Sequence, residues 1–202
     1  MIYFAYADIS SLVGEETDKR TRESLLHIEV YRLLADLYRT VRGGILPTLK
    51  KDGRGKPYLV GRGAPHISLS HEGVAVAAAI SDRPVGIDLS QGGRAATERA
   101  CRRFLCDMRA SRRADPAGVT CFRASYREGA AYEPTPFLPL FKEEDGYASR
   151  FARAEACLKL SGGGFADLAH LPSVSESAEV LLFSLPAPLS HYEAAIAAEG
   201  EL

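Results

Sequence analysis

The 202 residues suffice for one large domain or for two small ones sharing an interface. With 46% hydrophobic and 25% charged residues, the composition is that of a globular chain and excludes a disordered one. A formal net charge of -1 excludes a chain that is basic or acidic throughout, yet the charges are unevenly placed. Lys and Arg crowd residues 19–62 and 94–113, whereas after Lys159 there is neither, only Asp167, Glu176, Glu179, Glu193, Glu199 and Glu201. Separate positive and negative territories predict a charged partner for one face.

The four cysteines (Cys101, Cys106, Cys121, Cys157) show no CxxC and no framework spacing, so they read as free thiols of a reducing compartment. His and Cys do not cluster at ligand spacing, which argues against a zinc-type centre. No apolar run reaches membrane-spanning length, and residues 1–8 lack the basic flank and apolar core of a signal peptide. A cytoplasmic protein with no membrane partner is expected.

Along the chain, residues 1–8 read as a starting strand. Asp18 then opens a helix whose apolar residues (Leu25, Leu26, Val30, Leu33, Leu34, Leu37, Tyr38, Val41) recur at spacings of three and four, with Gly43-Gly44 closing it. Residues 50–65, rich in Gly, Lys and Pro, read as a loop. Strands are predicted at 66–69, 74–81 and 85–89, the last after an Asp82-Arg83-Pro84 turn. From Arg94 to Arg109 the pattern returns to helix, with Ala100, Phe104, Leu105 and Met108 on one face. The Pro- and Gly-bearing stretch 114–147 reads as an irregular connection. A third helix is predicted from about Ser149 to Leu160, and closing strands at 180–185 and 194–198. Leu69-Ser70-His71 and Leu189-Ser190-His191 each precede a strand, which suggests a duplicated architecture.

Asp88 ends an apolar strand directly after Gly86-Ile87. Such an aspartate either caps the strand end or ligates a metal, since Mg²⁺ is held by one or two carboxylates with phosphates and waters completing its shell. Phe151, Glu155 and Lys159, four residues apart, share one helix face. Glu155 and Lys159 form either an exposed ion pair or, with Phe151 turning that face inward, a carboxylate and a cation awaiting a ligand. Gly55-Lys56-Pro57-Tyr58 is a solvated turn or a backbone-plus-lysine clamp for phosphates. Ser70-His71 can be a strand-end hydroxyl with a surface histidine, or a phosphate contact. A catalytic Ser/His pair is not expected, because no GxSxG elbow or partnering acid surrounds it. Seven arginines between Arg94 and Arg113, offset only by Glu98 and Asp107, make either a solvated face or a docking surface for an acidic partner. Nucleic acid is not favoured, as the chain is near neutral and lacks interleaved aromatics.

Together these residues resemble the 4'-phosphopantetheinyl transferase superfamily in its two-lobed, surfactin-type branch. The family pattern runs G-K-P, then roughly F-N-x-S-H-S, then G-[IV]-D-x-E, then [FW]-x-x-K-E-A-x-x-K-x-x-G. Here these are Gly55-Lys56-Pro57, Ile67-Ser68-Leu69-Ser70-His71-Glu72, Gly86-Ile87-Asp88-Leu89-Ser90, and Phe151 through Lys159 with Gly162, in the same order. The resemblance implies an α+β fold of two pseudo-symmetric halves, each a helix on a small mostly antiparallel sheet, with the active site in the cleft between them. Residues 1–91 and 92–202 are the halves expected, in one compact module.

The activity so implied is Mg²⁺-dependent transfer of the phosphopantetheine arm of coenzyme A to a serine of an acidic acyl or peptidyl carrier protein, releasing 3',5'-ADP. By motif position Asp88 and Glu155 would hold the metal, Glu155 would also take the serine's proton, and Lys159 would hold a phosphate. Gly55, Lys56, Pro57, Ser70 and His71 would hold the nucleotide end, with Arg20 or Arg22 at the 3'-phosphate. Arg99, Arg102 and Arg103 would meet the carrier. A duplicated chain completes one cleft by itself, so a monomer is expected. Three positions depart from the pattern: Ser90 for an acid, Ala154 for a lysine and Ser68 for an asparagine. They leave room for a homologue that binds coenzyme A or a carrier protein without catalysing transfer.

Overall fold

The first strand announces the layering. In β1 (Ile2–Asp8) the even residues Ile2, Phe4 and Tyr6 enter one apolar cluster, while Ala5 and Ala7 enter another on the opposite face. A strand with apolar residues on both faces must lie between two layers. The structure, a computed structural model, describes residues 1–14, 16–105, 112–113, 116–125, 131–142, 146–163 and 178–199.

After β1 come helix α1 (Lys19–Arg42) and the strands β2 (Leu49–Lys51), β3 (Pro57–Leu59), β4 (His66–Glu72), β5 (Ala75–Ser81) and β6 (Val85–Gln91). Then follow α2 (Ala95–Phe104), β7 (Arg112–Arg113), β8 (Val119–Ser125), β9 (Glu133–Phe137), β10 (Leu140–Phe141), α3 (Gly146–Ser161), β11 (Ala178–Ser184) and β12 (Tyr192–Glu199). The fold is α+β. One sheet has the order β4-β5-β1-β8-β9, and the other β10-β11-β12-β6 with β7 beside β11. Apart from the parallel pairs β1–β8 and β7–β11, neighbouring strands run antiparallel.

The two sheets face each other across a shared core that includes Phe4, Tyr6, Ile87, Phe183, Tyr192 and Ile196. Helix α1 covers the outer face of the first sheet through Val30, Leu33, Leu34 and Leu37. Helix α3 covers the outer face of the second, with α2 lending Cys101 and Leu105 to the same cluster. Strands β5 and β12 are rich in alanine although alanine is a poor strand former. Both faces of these strands are buried, and small side chains let helix and opposite sheet approach together.

Helix α1 has the predicted ends. Asp18 accepts the Thr21 hydroxyl and the backbone N–H groups of Thr21 and Arg20, the last two at 3.1 and 3.0 Å, and these bonds, the hydroxyl's foremost, hold its carboxyl below the usual range. Gly43, at φ +69°, terminates it. Helix α3 ends in a Schellman motif: Gly163 N–H bonds to Leu158 O at 2.8 Å and Gly162 N–H to Lys159 O at 3.3 Å. Gly162 has φ +72°, a region open to glycine.

Two units repeat the same plan. In the first, β1, α1 and the hairpin β4–β5 give the order β4-β5-β1; in the second, β6, α3 and the hairpin β11–β12 give β11-β12-β6. This pairing moves the division expected at residue 91, because β6 hydrogen-bonds to β12 and opens the second unit. Later chain also returns to the first sheet, where β8 pairs with β1 and β9 with β8. The stretch 114–147, expected as an irregular connection, contains β8, β9 and β10 among its described residues. Its prolines suit the place of β9 at a sheet edge, where a missing N–H costs nothing. Residues 50–65, expected as loop, contain the hairpin β2–β3.

Helix α2 buries Thr97 and Cys101, and Leu105 of the expected face is buried just past its end; the continuation expected through Arg109 lies outside the described residues. The repeated Leu-Ser-His triplet has no common role. Its first copy is inside β4, while the second lies in the turn between β11 and β12. Among the described residues no helix is long and apolar enough to cross a membrane.

Candidate functional site

Strands β4 and β6 lie at the edges of their sheets and meet without a ladder. The edge N–H groups of β6 need acceptors, and serines supply them: Ile87 N–H donates to Ser68 Oγ at 3.0 Å and Leu89 N–H to Ser70 Oγ at 3.1 Å. Ser70 Oγ in turn donates to Asp88 Oδ1 at 2.8 Å. The proton of Ser70 is thus committed to Asp88, and the residue orients that carboxylate from a buried position.

The alternation of β6 sends Val85, Ile87 and Leu89 into the inter-sheet core, leaving Gly86, Asp88 and Ser90 on the α3 side. Gly86 has a steric role there: a Cβ at this position would lie 1.9 Å from Ala156 O and 2.5 Å from Leu160 N. The missing side chain lets α3 press against β6, which brings Lys159 Nζ to 2.6 Å from Asp88 Oδ1. Asp88 is 6% exposed. Burial pushes its carboxyl above the ordinary value, against the opposing pull of Lys159, Ser70 and the Leu89 amide.

Phe151, Glu155 and Lys159 are all partly buried, so the stripe runs along the margin of the packed face of α3. Burial, reinforced by the negative charge of Asp88, raises the Glu155 carboxyl to about 7, with Lys159 acting the other way. Asp88, Glu155 and Lys159 all belong to the second unit, and the first contributes Ser70. Asp88 and Glu155 lie near enough for the charge of one to raise the carboxyl of the other. No group of three or more His, Cys, Asp or Glu suited to a metal gathers among the described residues.

Next to these residues is a cavity of about 220 Å³ lined by Arg54, Gly55, Lys56, Pro57, Ile67, Ser68, Leu69, Lys159, Gly162 and Gly163. The glycine-lysine-proline turn, β4 and the end of α3 therefore share one wall. Asp52 builds that turn by accepting the N–H groups of Arg54 and Lys56, both at 2.9 Å; Gly55 sits at φ +87°. Lys56 Nζ donates to Leu160 O at 3.0 Å, satisfying a carbonyl at the end of α3. Two of its three protons remain for a ligand. Burial lowers the Lys56 ammonium below its ordinary value, while Asp52 and Glu199 act to raise it.

His71 points to the α1 side of β4, half-buried, with its ring 4.8 Å from that of His27 in an edge-to-face contact. Burial first, then His27 and Lys159, hold it below the ordinary histidine value, against Glu23. Asp88, Glu155, Ser70, His71, Arg20 and Arg22 are absent from the cavity lining, which Asp88 reaches only through its contact with Lys159. Arg20 is exposed on the first turn of α1, and Arg22 is partly buried with its Nε lacking a hydrogen-bond partner. On α2, Arg99, Arg102 and Arg103 are exposed. Arg102 is held by Glu98, at 3.0 and 2.9 Å, and lies 5.2 Å from the Tyr147 ring centroid.

Two residues near the site escaped the sequence reading. Asp52 could have been found, because Asp-Gly is a turn dipeptide and aspartate side chains accept backbone N–H groups just ahead in such turns. His27 carried no such signal. No family model matches the chain, and no curated protein does.

Proposed function

We propose that this chain transfers the phosphopantetheine arm of coenzyme A to a serine hydroxyl of an acyl or peptidyl carrier protein. One observation carries the reading: four motifs far apart in sequence meet where Lys159, 2.6 Å from Asp88, also lines the cavity formed by Gly55-Lys56-Pro57. Two carboxylates beside a lysine-lined cavity suit a magnesium-bound diphosphate better than an uncharged ligand. A bound magnesium ion would neutralise charge on the diphosphate, held by Asp88 and Glu155.

The chain's own groups do the rest. Glu155, beside Asp88 and Lys159, is placed to accept the serine proton, directly or through a water. Lys159 and Lys56 position phosphate oxygens, and Ser70 keeps Asp88 oriented. His71, lying with His27 outside the cavity lining, would extend the anion contacts toward α1. The exposed arginines of α2 offer an acidic carrier a docking face.

The test is to incubate the protein with an apo-carrier protein, coenzyme A and Mg²⁺ and weigh the carrier. The gain of one phosphopantetheine arm, abolished by Glu155→Ala, is the expected outcome; an unmodified carrier rejects the transferase. A second reading, a homologue that binds coenzyme A or a carrier protein without transfer, draws on Ser90. That serine is 2% exposed on the metal side of β6, where it brings no carboxylate. Binding of coenzyme A without modification of any carrier would favour it.

A further inference from the structure

We propose that Lys159 sets the order in which the site fills, so that a divalent cation joins Asp88 and Glu155 together with a diphosphate and not ahead of it. This rests on the transferase reading above.

The reason is the crowding on one oxygen. Asp88 Oδ1 is engaged by the Lys159 ammonium at 2.6 Å and by the Ser70 hydroxyl at 2.8 Å. With Asp88 and Glu155 ionised, Lys159 reduces their two negative charges to a net of one. A dication arriving alone meets that ammonium beside its first ligand and is repelled by it. The repulsion is not relieved by solvent, because Asp88 is buried and the Lys159 side chain is only 29% exposed.

A diphosphate changes the balance. Lys159 also lines the 220 Å³ cavity, together with Arg54 and Lys56. A phosphate oxygen entering there offers the ammonium a second anion, and its flexible four-carbon stem lets it move across. Asp88 Oδ1 is then open to the cation, and the phosphate supplies the oxygens that two carboxylates cannot. Ser70 stays on Asp88 throughout and keeps it aimed. Cation and diphosphate thus bind cooperatively, and by linkage each tightens the other by the same factor.

Binding of Mn²⁺, read by electron paramagnetic resonance of the free ion and corrected for Mn²⁺ held by coenzyme A alone, tests the idea without any turnover. Saturating coenzyme A should tighten Mn²⁺ binding to the wild-type protein about tenfold or more. Lys159→Met should bind Mn²⁺ more tightly than wild type when no coenzyme A is added, and should lose most of the coupling. Equal Mn²⁺ affinity with and without coenzyme A in the wild type overturns the proposal, as does a Lys159→Met protein that binds Mn²⁺ no better. Should circular dichroism show Lys159→Met unfolded, Lys159→Gln takes its place in the same two titrations, with the same expected and overturning results. Independent binding of Mn²⁺ and coenzyme A sinks only this inference, whereas failure to bind coenzyme A at all removes the transferase reading with it.

Discussion

At the scale of single residues, the site departs from ordinary surface chemistry at Glu155. Its folded-state carboxyl, raised from 4.5 to about 7, holds a proton that the unfolded chain has already released. The contribution of Glu155 to stability should therefore fall as pH rises between those two values. Glu155→Gln should remove that contribution and be more stable than wild type at pH 8, by on the order of 2 kcal/mol. Urea unfolding of both proteins at pH 5 and pH 8 measures it, and parallel curves would remove the buried-carboxylate account. Ser90 gives a second test. Replacing it by glutamate adds a hard oxygen donor beside Asp88, so Ser90→Glu should lower the magnesium concentration needed for half-maximal transfer. An unchanged requirement in a magnesium titration would mean that this side of β6 does not reach the ion. The motif residues themselves were legible in the sequence because each is a local pattern. Lys56 was legible as a cation, but not as a donor to Leu160 O, a residue 104 positions away.

At the scale of elements, the close packing of α3 on β6 does most to shape the site. A Cβ on Gly86 would strike backbone atoms of α3, which cannot rotate aside. Gly86→Ala should cost about 3 kcal/mol, at the upper end for an overpacked core, and separate Lys159 from Asp88. Gly53→Ala is the contrast: nothing lies within 4 Å of the added carbon and its φ is ordinary, so it should change stability by less than about 0.5 kcal/mol. Chemical denaturation of the two variants side by side checks both. Helix ends were legible where chemistry is local, as at Asp18, Gly43 and Gly162. The buried face of α2 was not. Leu105 was expected inside, but Thr97 and Cys101 were not: small and polar residues such as Thr97 and Ala100 do not mark one stripe, and Cys101 is placed by its packing in the α3 cluster.

At the scale of the whole molecule, the two units are joined through side chains rather than through a continuous ladder. Tyr192 reaches from the second sheet to the β4–β5 turn, where its hydroxyl accepts the Val74 N–H at 3.1 Å. Gly73 makes room: at φ +60°, a Cβ there would lie 2.1 Å from that hydroxyl. Tyr192→Phe leaves a partly buried N–H unsatisfied and should cost about 1–3 kcal/mol. Since the sheets share one core, unfolding should remain a single transition, observed alike by fluorescence and circular dichroism. Two separate transitions would show that the units are held independently.

The amino-acid sequence determined by itself what depends on neighbours within a turn or two: the period of α1, the caps of α1 and the glycine end of α3, the apolar strand runs and the four motifs. These rest on short-range sterics and hydrogen bonds, which a linear pattern displays. Only the tertiary structure decided that β6 belongs with β12, that β8 and β9 extend the first sheet, and that His27 stands against His71. Such pairings depend on which buried surfaces match after the chain has folded back on itself, and no local spacing encodes that choice.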